Sequence, residues 1–241
     1  MSGSFAALTD IGRVRGENQD RALAITLVGG AVLLLAADGV GGAPGGALAS
    51  EETARVVAEV FEEFAGAAPY PSLLLTAVNL ANERVRLLQG QTAGLENMAT
   101  TLVAAVIEGS RATIANLGDS RAYHLHARDL RHVTEDDSWV ATEVREGRLS
   151  EEDAETHPWR NVITNGIGIG DTADPAVVSL SLDAGDALLL CTDGLFKMLD
   201  RADMGAILAT ATDAGDAARA LVEAANARGG VDNIGVALWM S

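Results

Sequence analysis

The sequence has a single cysteine, Cys191, so it contains no internal disulfide framework. Basic residues are also scarce, with 17 Lys and Arg against 34 Asp and Glu and a formal net charge of −17. Phosphate backbones and anionic lipid surfaces repel such a chain, which argues against nucleic acid and membrane as partners. The longest apolar run, residues 31–37, is far shorter than the ~20 residues that span a bilayer.

Residues 1–8 lack the basic stretch and long apolar segment of a signal peptide, so we expect a soluble, cytoplasmic protein. No repeat, low-complexity tract or charge block marks a linker, and the glycine-rich residues 41–46 are too few to separate domains. A chain of 241 residues with 48% hydrophobic content is long enough for one sizeable core. We therefore expect one domain over residues 1–241.

Hydrophobic periodicity predicts helices in pairs between runs of strands. The predicted helices are 47–64, 72–88, 202–211 and 214–227, with one or two short helices in the polar residues 134–159. The predicted strands are 22–27, 31–37, 100–107, 112–117, 122–126, 176–182, 187–191 and 234–239. This order indicates sheets covered by helices in layers, and not an alternating parallel sheet.

Two apolar runs, AVLLLAADGVGG and DALLLCTDGLF, each lead to an aspartate followed by glycine. Asp-Gly between strands is typical of a type I′ hairpin turn, but a hairpin needs a second strand directly after the glycine. Both runs continue instead into glycines or a helical stretch. We therefore expect Asp38 and Asp193 to be ligands at the ends of neighbouring strands.

Two further aspartates, Asp20 in RGENQD and Asp232 in GGVDN, stand just before predicted strands. If all four acids converge in a partly buried pocket, their repulsion is severe unless cations neutralise it. Carboxylate and carbonyl ligands without nearby histidine or cysteine favour Mg²⁺ or Mn²⁺, and the glycine after Asp38 leaves a carbonyl free to approach a metal. The four histidines lie outside these segments and are interpreted as ordinary surface or strand residues.

Eight motifs follow one another along nearly the whole chain: RVRGENQD, DGVGG, MATTLVAAVI, NLGDSRAYHL, TEDDS, NVITNGIG, LLLCTDGLF and GGVDNIGVAL. In this order they resemble the successive motifs of the metal-dependent PP2C-type (PPM family) protein serine/threonine phosphatases, particularly the compact bacterial ones. The resemblance implies an α+β fold, a four-layer α-β-β-α sandwich with two central antiparallel sheets. It also implies a binuclear Mn²⁺ or Mg²⁺ site in the cleft at one edge.

The resemblance assigns roles to the acidic residues. Asp38 would bridge two tightly placed ions, Asp193 and Asp232 would bind one of them, and the Gly39 carbonyl would bind the other. Asp20 would act partly through metal-bound water.

Two further residues are implied, each with a plainer alternative. Arg15 would join Asp38, Asp193 and Asp232 as a catalytic residue by clamping phosphoryl oxygens with its planar fork, or else it is a solvated loop arginine. Asp119 would help to hold a third, weaker ion, or else it caps a hairpin turn between two predicted strands.

Three positions depart from the family pattern. Gln19 stands where many relatives have glutamate, and it keeps an acceptor while losing a charge. Val40 replaces a histidine that is thought to protonate the leaving alcohol in animal relatives. In TEDDS, Asp137 replaces the histidine that relatives commonly carry.

The reaction implied is hydrolysis of phosphoserine and phosphothreonine in proteins by a metal-activated water, reversing a serine/threonine kinase. Its partners would be phosphorylated proteins, including a cognate kinase, and the enzyme would be a monomer. Two alternatives stay open, a two-metal hydrolase of a small phosphoester and a catalytically silent phosphatase-like binding module. The retained aspartates argue against the second.

Residues 138–165 match the position of a mobile flap beside the active site in bacterial relatives. Ser150 and Asp153 form a capping-box pattern, which predicts partial helix in this segment. Trp139 and Trp159 either pack the segment down, or grip substrate, or are ordinary core aromatics.

Overall fold

Two antiparallel sheets form the centre of the computed structural model, which describes residues 3–40 and 45–241. The first sheet contains, in spatial order, β1 (Ser4–Asp10), β11 (Ile234–Met240), β10 (Ala187–Cys191), β7 (Arg121–His126) and β8 (Asp129–His132). The second contains β2 (Asp20–Thr26), β3 (Val32–Val40), β5 (Leu102–Glu108), β6 (Arg111–Leu117) and β9 (Ala176–Ser181), with β4 (Ala99–Thr100) paired to β3.

Two pairs of helices cover the outer faces of the sheets. Helices α1 (Gly46–Phe64) and α2 (Tyr70–Gln91) pack on the second sheet, and α6 (Arg201–Thr210) and α7 (Ala214–Ala227) pack on the first. Three shorter helices are α3 (Trp139–Arg145), α4 (Glu151–Thr156) and α5 (Asp193–Phe196). The expected four-layer α-β-β-α sandwich is therefore confirmed. None of the helices described has both the length and the apolar composition needed to cross a membrane.

The apolar run of β3 is uninterrupted because both of its faces are buried. Leu33 and Leu35 point into the layer shared with α1 and α2, whereas Leu34 and Ala36 point into the layer between the two sheets. The layer between the sheets also contains Leu188, Leu190 and Trp239 from the first sheet. Because the strand is covered on both faces, its residues become accessible to a ligand only where the strand ends, at the edge of the sandwich.

The predicted elements are confirmed, with ends that shift by up to three residues, and three elements were missed. Strand β1 has no uninterrupted apolar run, β8 has four residues, and α5 has four residues. The predicted strand 100–107 is divided into β4 and β5 at Thr101. Residues 41–44 of the glycine-rich segment lie outside the described residues.

One topological expectation was wrong. Asp38 and Asp193 do not lie on neighbouring strands, because β3 belongs to the second sheet and β10 to the first. The two acids are brought together by the face-to-face packing of the sheets.

Residues 138–165 contain α3 and α4, which are the one or two short helices expected in residues 134–159. The capping pattern at Ser150 predicted α4. The Ser150 side chain accepts a hydrogen bond from the Asp153 amide, and its hydroxyl donates to the Asp153 carboxylate at 2.6 Å. Trp139 stacks on His157 with ring centroids 4.7 Å apart and meets Trp159 edge-on at 4.8 Å. Trp159 is 54% exposed, so the two indoles pack this segment on itself and the core alternative is wrong for Trp159.

Candidate active site

A cavity of about 300 Å³ lies at the edge of the sandwich where β3 and β10 end. It collects residues that are far apart in the sequence and come from both sheets. The lining consists of Arg15, Gln19, Asp38, Gly39, Val40, Thr101, Asp119, Asn161, Ile163, Asp193, Asp232 and Asn233. Of the site residues predicted from the sequence, only Asp20 does not line it.

Asp20 lies directly behind the cavity, as the cross-strand partner of Asp38 in the β2–β3 pair. Its side chain is buried, and its Oδ2 accepts a hydrogen bond of 2.7 Å from the hydroxyl of Thr192, which follows β10. The same Thr192 oxygen accepts from the Gly235 amide at 2.7 Å. A carboxylate of the second sheet is thus held by a hydroxyl of the first.

Two threonines of the MATT motif fix the backbone at Asp38. The Asp38 amide donates to Thr101 Oγ1 at 2.9 Å, and the Asp38 carbonyl accepts from the Thr101 amide at 2.9 Å and from Thr100 Oγ1 at 2.7 Å. No role was predicted for these threonines from the sequence. They position the end of β3, and with it the Asp38 side chain.

The glycines that follow Asp38 and Asp193 each permit the close approach of a second backbone segment. A Cβ at Gly39 would overlap the carbonyl of Gly46, and one at Gly194 would overlap the carbonyl oxygen of Asn233. The Gly194 Cβ would also lie 3.4 Å from the Cβ of Asp232. Gly194 therefore allows α5 to pack against the residues before β11, which brings Asp193 close to Asp232.

Asn233 ties the loop that carries Arg15 to the start of β11. Its side-chain Nδ2 donates to the backbone carbonyls of Ile11 and Glu17, both at 2.9 Å, and its Oδ1 accepts from the backbone amide of Gln19 at 2.9 Å. The first predicted motif, RGENQD, is held in place by the last one.

Burial, together with carboxylate crowding, governs the electrostatics of the site. Burial, together with the charges of Asp193 and Asp232, raises the pKa of Asp20 to about 8, and burial together with the surrounding aspartates raises the pKa of Asp38 well above its usual value. Burial and the charge of Asp193 raise the pKa of Asp119 to about 7. Oδ1 of Asp20 and Oδ1 of Asp193 are buried without a hydrogen-bond partner among the described residues.

Two basic side chains reach these acids. Nη2 of Arg15 lies 2.7 Å from Oδ2 of Asp232, and the arginine side chain is half exposed at the mouth of the cavity. Nζ of Lys197 lies 2.5 Å from Oδ2 of Asp193 and donates to Oδ1 of Asn161 at 3.0 Å. Lys197 was not predicted as a site residue, because α5, which places it one turn after Asp193, was itself missed.

Asp119 lies between β6 and β7, which belong to different sheets, so Gly118-Asp119 is not a hairpin turn and that alternative is wrong. Asp119 is buried, and it lines both the cavity and a neighbouring space of about 890 Å³ beside α3 and α4.

Asp137, which replaces the histidine of the family motif, has a structural role here. Its Oδ2 accepts from the Gly118 amide at 3.2 Å and from Asn165 Nδ2 at 3.1 Å, which links the loop of Asp119 to the end of residues 138–165.

Comparison with known proteins agrees with this geometry. The sequence profile of the protein phosphatase 2C family matches residues 13–226. The serine/threonine phosphatase stp of Listeria monocytogenes is 34% identical over 233 residues, which cover 95% of this chain and 92% of that protein. The structure of the S. agalactiae serine/threonine phosphatase superposes with a TM-score of 0.90, at 33% identity and 99% coverage of both chains.

A second solved structure is the catalytic domain of the serine threonine protein phosphatase PstP in complex with 2 manganese ions. Its TM-score is 0.87 at 31% identity, with 99% of this chain and 97% of that chain covered. The chain described here belongs to the protein phosphatase 2C family, in its bacterial form. It is a protein serine/threonine phosphatase, and its reaction is the dephosphorylation of proteins.

Proposed function

We propose that the cavity between Asp38, Asp193 and Asp232 hydrolyses phosphoserine and phosphothreonine esters of proteins with the aid of bound Mn²⁺ or Mg²⁺. The observation that carries the proposal is the convergence of carboxylates from both sheets. One buried oxygen each of Asp20 and Asp193 has no hydrogen-bond partner within residues 3–40 and 45–241. Such crowding is unfavourable in a protein unless cations compensate it.

The donor set fits hard divalent cations, because it consists of carboxylates and a backbone carbonyl, and the described part of the lining contains no histidine or cysteine. Asp38, Gly39, Asp193 and Asp232 would hold two ions, with Asp20 acting partly through an intervening water. Two bound ions would supply a water of lowered pKa as the nucleophile and positive charge beside the phosphoryl group. In a neighbour of the same fold, PstP, 2 manganese ions are present.

Arg15 recognises the phosphoryl group in this proposal. Its guanidinium lies at the mouth of the cavity and is paired with Asp232, so it is oriented toward the acids before substrate arrives. Its planar fork matches two oxygens of a phosphate monoester. Since the Val40 side chain has no ionisable group, the leaving alcohol must be protonated by water or by another group.

A third, weaker ion is proposed between Asp119 and Asp193. Lys197 already neutralises part of this region, because its ammonium contacts Asp193 and its pKa is raised by Asp193 and Asp119 against the opposing effect of burial. The lysine and the ion would compete for Asp193, so we expect this position to bind the third ion weakly.

We further propose that the substrates are phosphorylated proteins, including the serine/threonine kinase that the enzyme opposes. The net charge of −17 supports protein partners over nucleic acid or anionic membrane. A single domain, a monomeric state, a cytoplasmic location and a flap at residues 138–165 belong to the same proposal.

Phosphate release from a phosphothreonine peptide, measured with added Mn²⁺, added Mg²⁺ or chelator, tests the proposal. We expect turnover only with a divalent ion. Full activity after exhaustive chelation contradicts the metal site. Faster hydrolysis of a small phosphoester than of the peptide favours a small-ester hydrolase, and metal binding without turnover of either substrate favours a silent binding module.

A further inference from the structure

His124, His126 and Asp186 meet at the end of the first sheet that is remote from the cavity. The two histidines lie on one face of β7, and the pairing of Leu125 with Ala187 brings Asp186, just before β10, alongside them. Asp186 and Asp193 lie at opposite ends of β10, which at about 3.3 Å per residue places them ~20 Å apart. This cluster is therefore separate from the proposed catalytic site.

The three side chains already converge on one point. Nε2 of His124 lies 2.8 Å from Oδ2 of Asp186, and Nδ1 of His126 lies 2.9 Å from Oδ1 of the same carboxylate. A ligand atom from each residue lies within 4.8 Å of the other two, and no other group of three such side chains in residues 3–40 and 45–241 meets that distance. Asp183 Oδ2 is 4.0 Å from Nδ1 of His126.

We propose that His124, His126 and Asp186 bind one borderline transition-metal ion, with Zn²⁺ the best match. Two imidazole nitrogens and a carboxylate favour Zn²⁺, Co²⁺ or Ni²⁺, whereas Mg²⁺ and Mn²⁺ prefer the all-oxygen set of the cavity. Zn–N and Zn–O bonds of about 2.0–2.2 Å in a tetrahedron separate ligand atoms by ~3.3 Å. The two N···O separations of 2.8 and 2.9 Å are slightly shorter than this value, and Asp183 or water would complete the coordination.

The carboxylate is held in place and one histidine is accessible. The Asp186 carboxylate accepts a hydrogen bond from the backbone amide of Asp183 at 2.8 Å. The backbone carbonyl of Asp186 accepts one from the backbone amide of Ser241 at 3.0 Å. Asp186 is buried, whereas the His126 side chain is 53% exposed, so an ion reaches the cluster without opening the fold. Bound there, the ion joins β7 to the segment that precedes β10 and stabilises this end of the sheet.

Calorimetric titration with Zn²⁺, in the presence of saturating Mg²⁺, tests the site. We expect one Zn²⁺ per chain, with an affinity that His126→Ala lowers by at least ~10–100-fold, the loss caused by removing even an outer partner of a metal ligand. His157→Ala, which removes a histidine outside the cluster, serves as the matched control and should leave the affinity unchanged. The Asp38→Ala variant should retain the same binding event, which separates it from ions bound in the cavity.

Two further readouts do not depend on enzyme activity. Co²⁺ should give visible absorption bands of a tetrahedral site in the wild-type protein and in His157→Ala, but not in His126→Ala. Zn²⁺ at about a hundredfold its Kd should raise the Tm by ~5–10 °C. Absence of Zn²⁺ binding, or binding that His126→Ala does not weaken, would overturn the proposal and leave the cluster as a hydrogen-bonded triad.

Discussion

Asp20 and Asp38 face each other as direct cross-strand partners at the end of the β2–β3 pair. Like charges in this arrangement destabilise a sheet, and here Asp20 is also buried. Burial and the neighbouring acids therefore raise the pKa values of both carboxyls in the metal-free protein. This relationship makes the stability of the metal-free protein depend on pH in an unusual direction.

The metal-free protein should lose stability as the pH rises. Burial and neighbouring charges raise the pKa of Asp20 to about 8, against ~3.9 in the unfolded chain. Between these values the folded state binds more protons than the unfolded state, so the free energy of unfolding falls with increasing pH. Thermal unfolding in chelator across this range measures the effect, and Asp20→Asn should make the decline shallower. A wild-type Tm that is constant or rises over the range contradicts the prediction.

Removing a central acid should separate activity from stability. Asp38→Ala and Asp193→Ala are each expected to abolish turnover of a phosphothreonine peptide while leaving the metal-free fold as stable as before or more stable, because each removes one member of a repelling cluster. Peptide assays and unfolding curves provide the two measurements. Asp129→Ala, on the exposed side of β8, is the control and should retain full turnover. Near-normal turnover in Asp38→Ala would exclude it as the bridging ligand.

Arg15 should act on substrate binding more than on metal binding. Arg15→Ala is expected to raise the KM for a phosphopeptide, because the charge-assisted hydrogen bonds to the phosphoryl group are lost. Arg15→Lys keeps the charge but not the planar fork, and should recover only part of the loss. Steady-state kinetics and metal titration distinguish the roles. If metal affinity collapses while KM is unchanged, the ion pair with Asp232 is the function of Arg15.

Asp119→Asn tests the third ion. Asparagine preserves the size of the side chain but is a poorer ligand for a hard cation, so turnover should fall strongly while the fold and the two tight ions are retained. Calorimetry should show one weak site fewer. Full activity with an unaltered metal count would rule out a metal role for Asp119.

Gly194→Ala should be costly although it adds one methyl group. The new Cβ would overlap the carbonyl oxygen of Asn233, so α5 must move and carry Asp193 away from Asp232. We expect a loss of ~1–3 kcal/mol in stability together with weaker metal binding. Gly205→Ala is the control, because its Cβ would meet only the Leu130 side chain, at 3.5 Å, within a helix where alanine is favoured. Equal effects of the two substitutions would contradict the close-approach argument.

Local patterns predicted most of the helices and strands, because apolar periodicity and the acids at strand ends are visible in the sequence. The assignment of β3 and β10 to different sheets was not predictable in this way, because strand pairing joins residues far apart in the chain. The contact of Lys197 with Asn161 was missed for the same reason. The structure brings the predicted site residues together, and their individual roles stay predictions.

Because the acids are divided between two sheets, the apolar layer between those sheets also determines how the acids are placed relative to one another. Asp20 and Asp38 lie on the second sheet, whereas Asp193 and Asp232 lie directly beside strands of the first. Leu34, Leu190 and Trp239 fill the space between the sheets. Protein interiors are close-packed, so a change of even one methylene in this layer alters how the two sheets pack on each other. We therefore expect catalytic efficiency to depend on the volume of apolar side chains in this layer, although these side chains do not line the cavity.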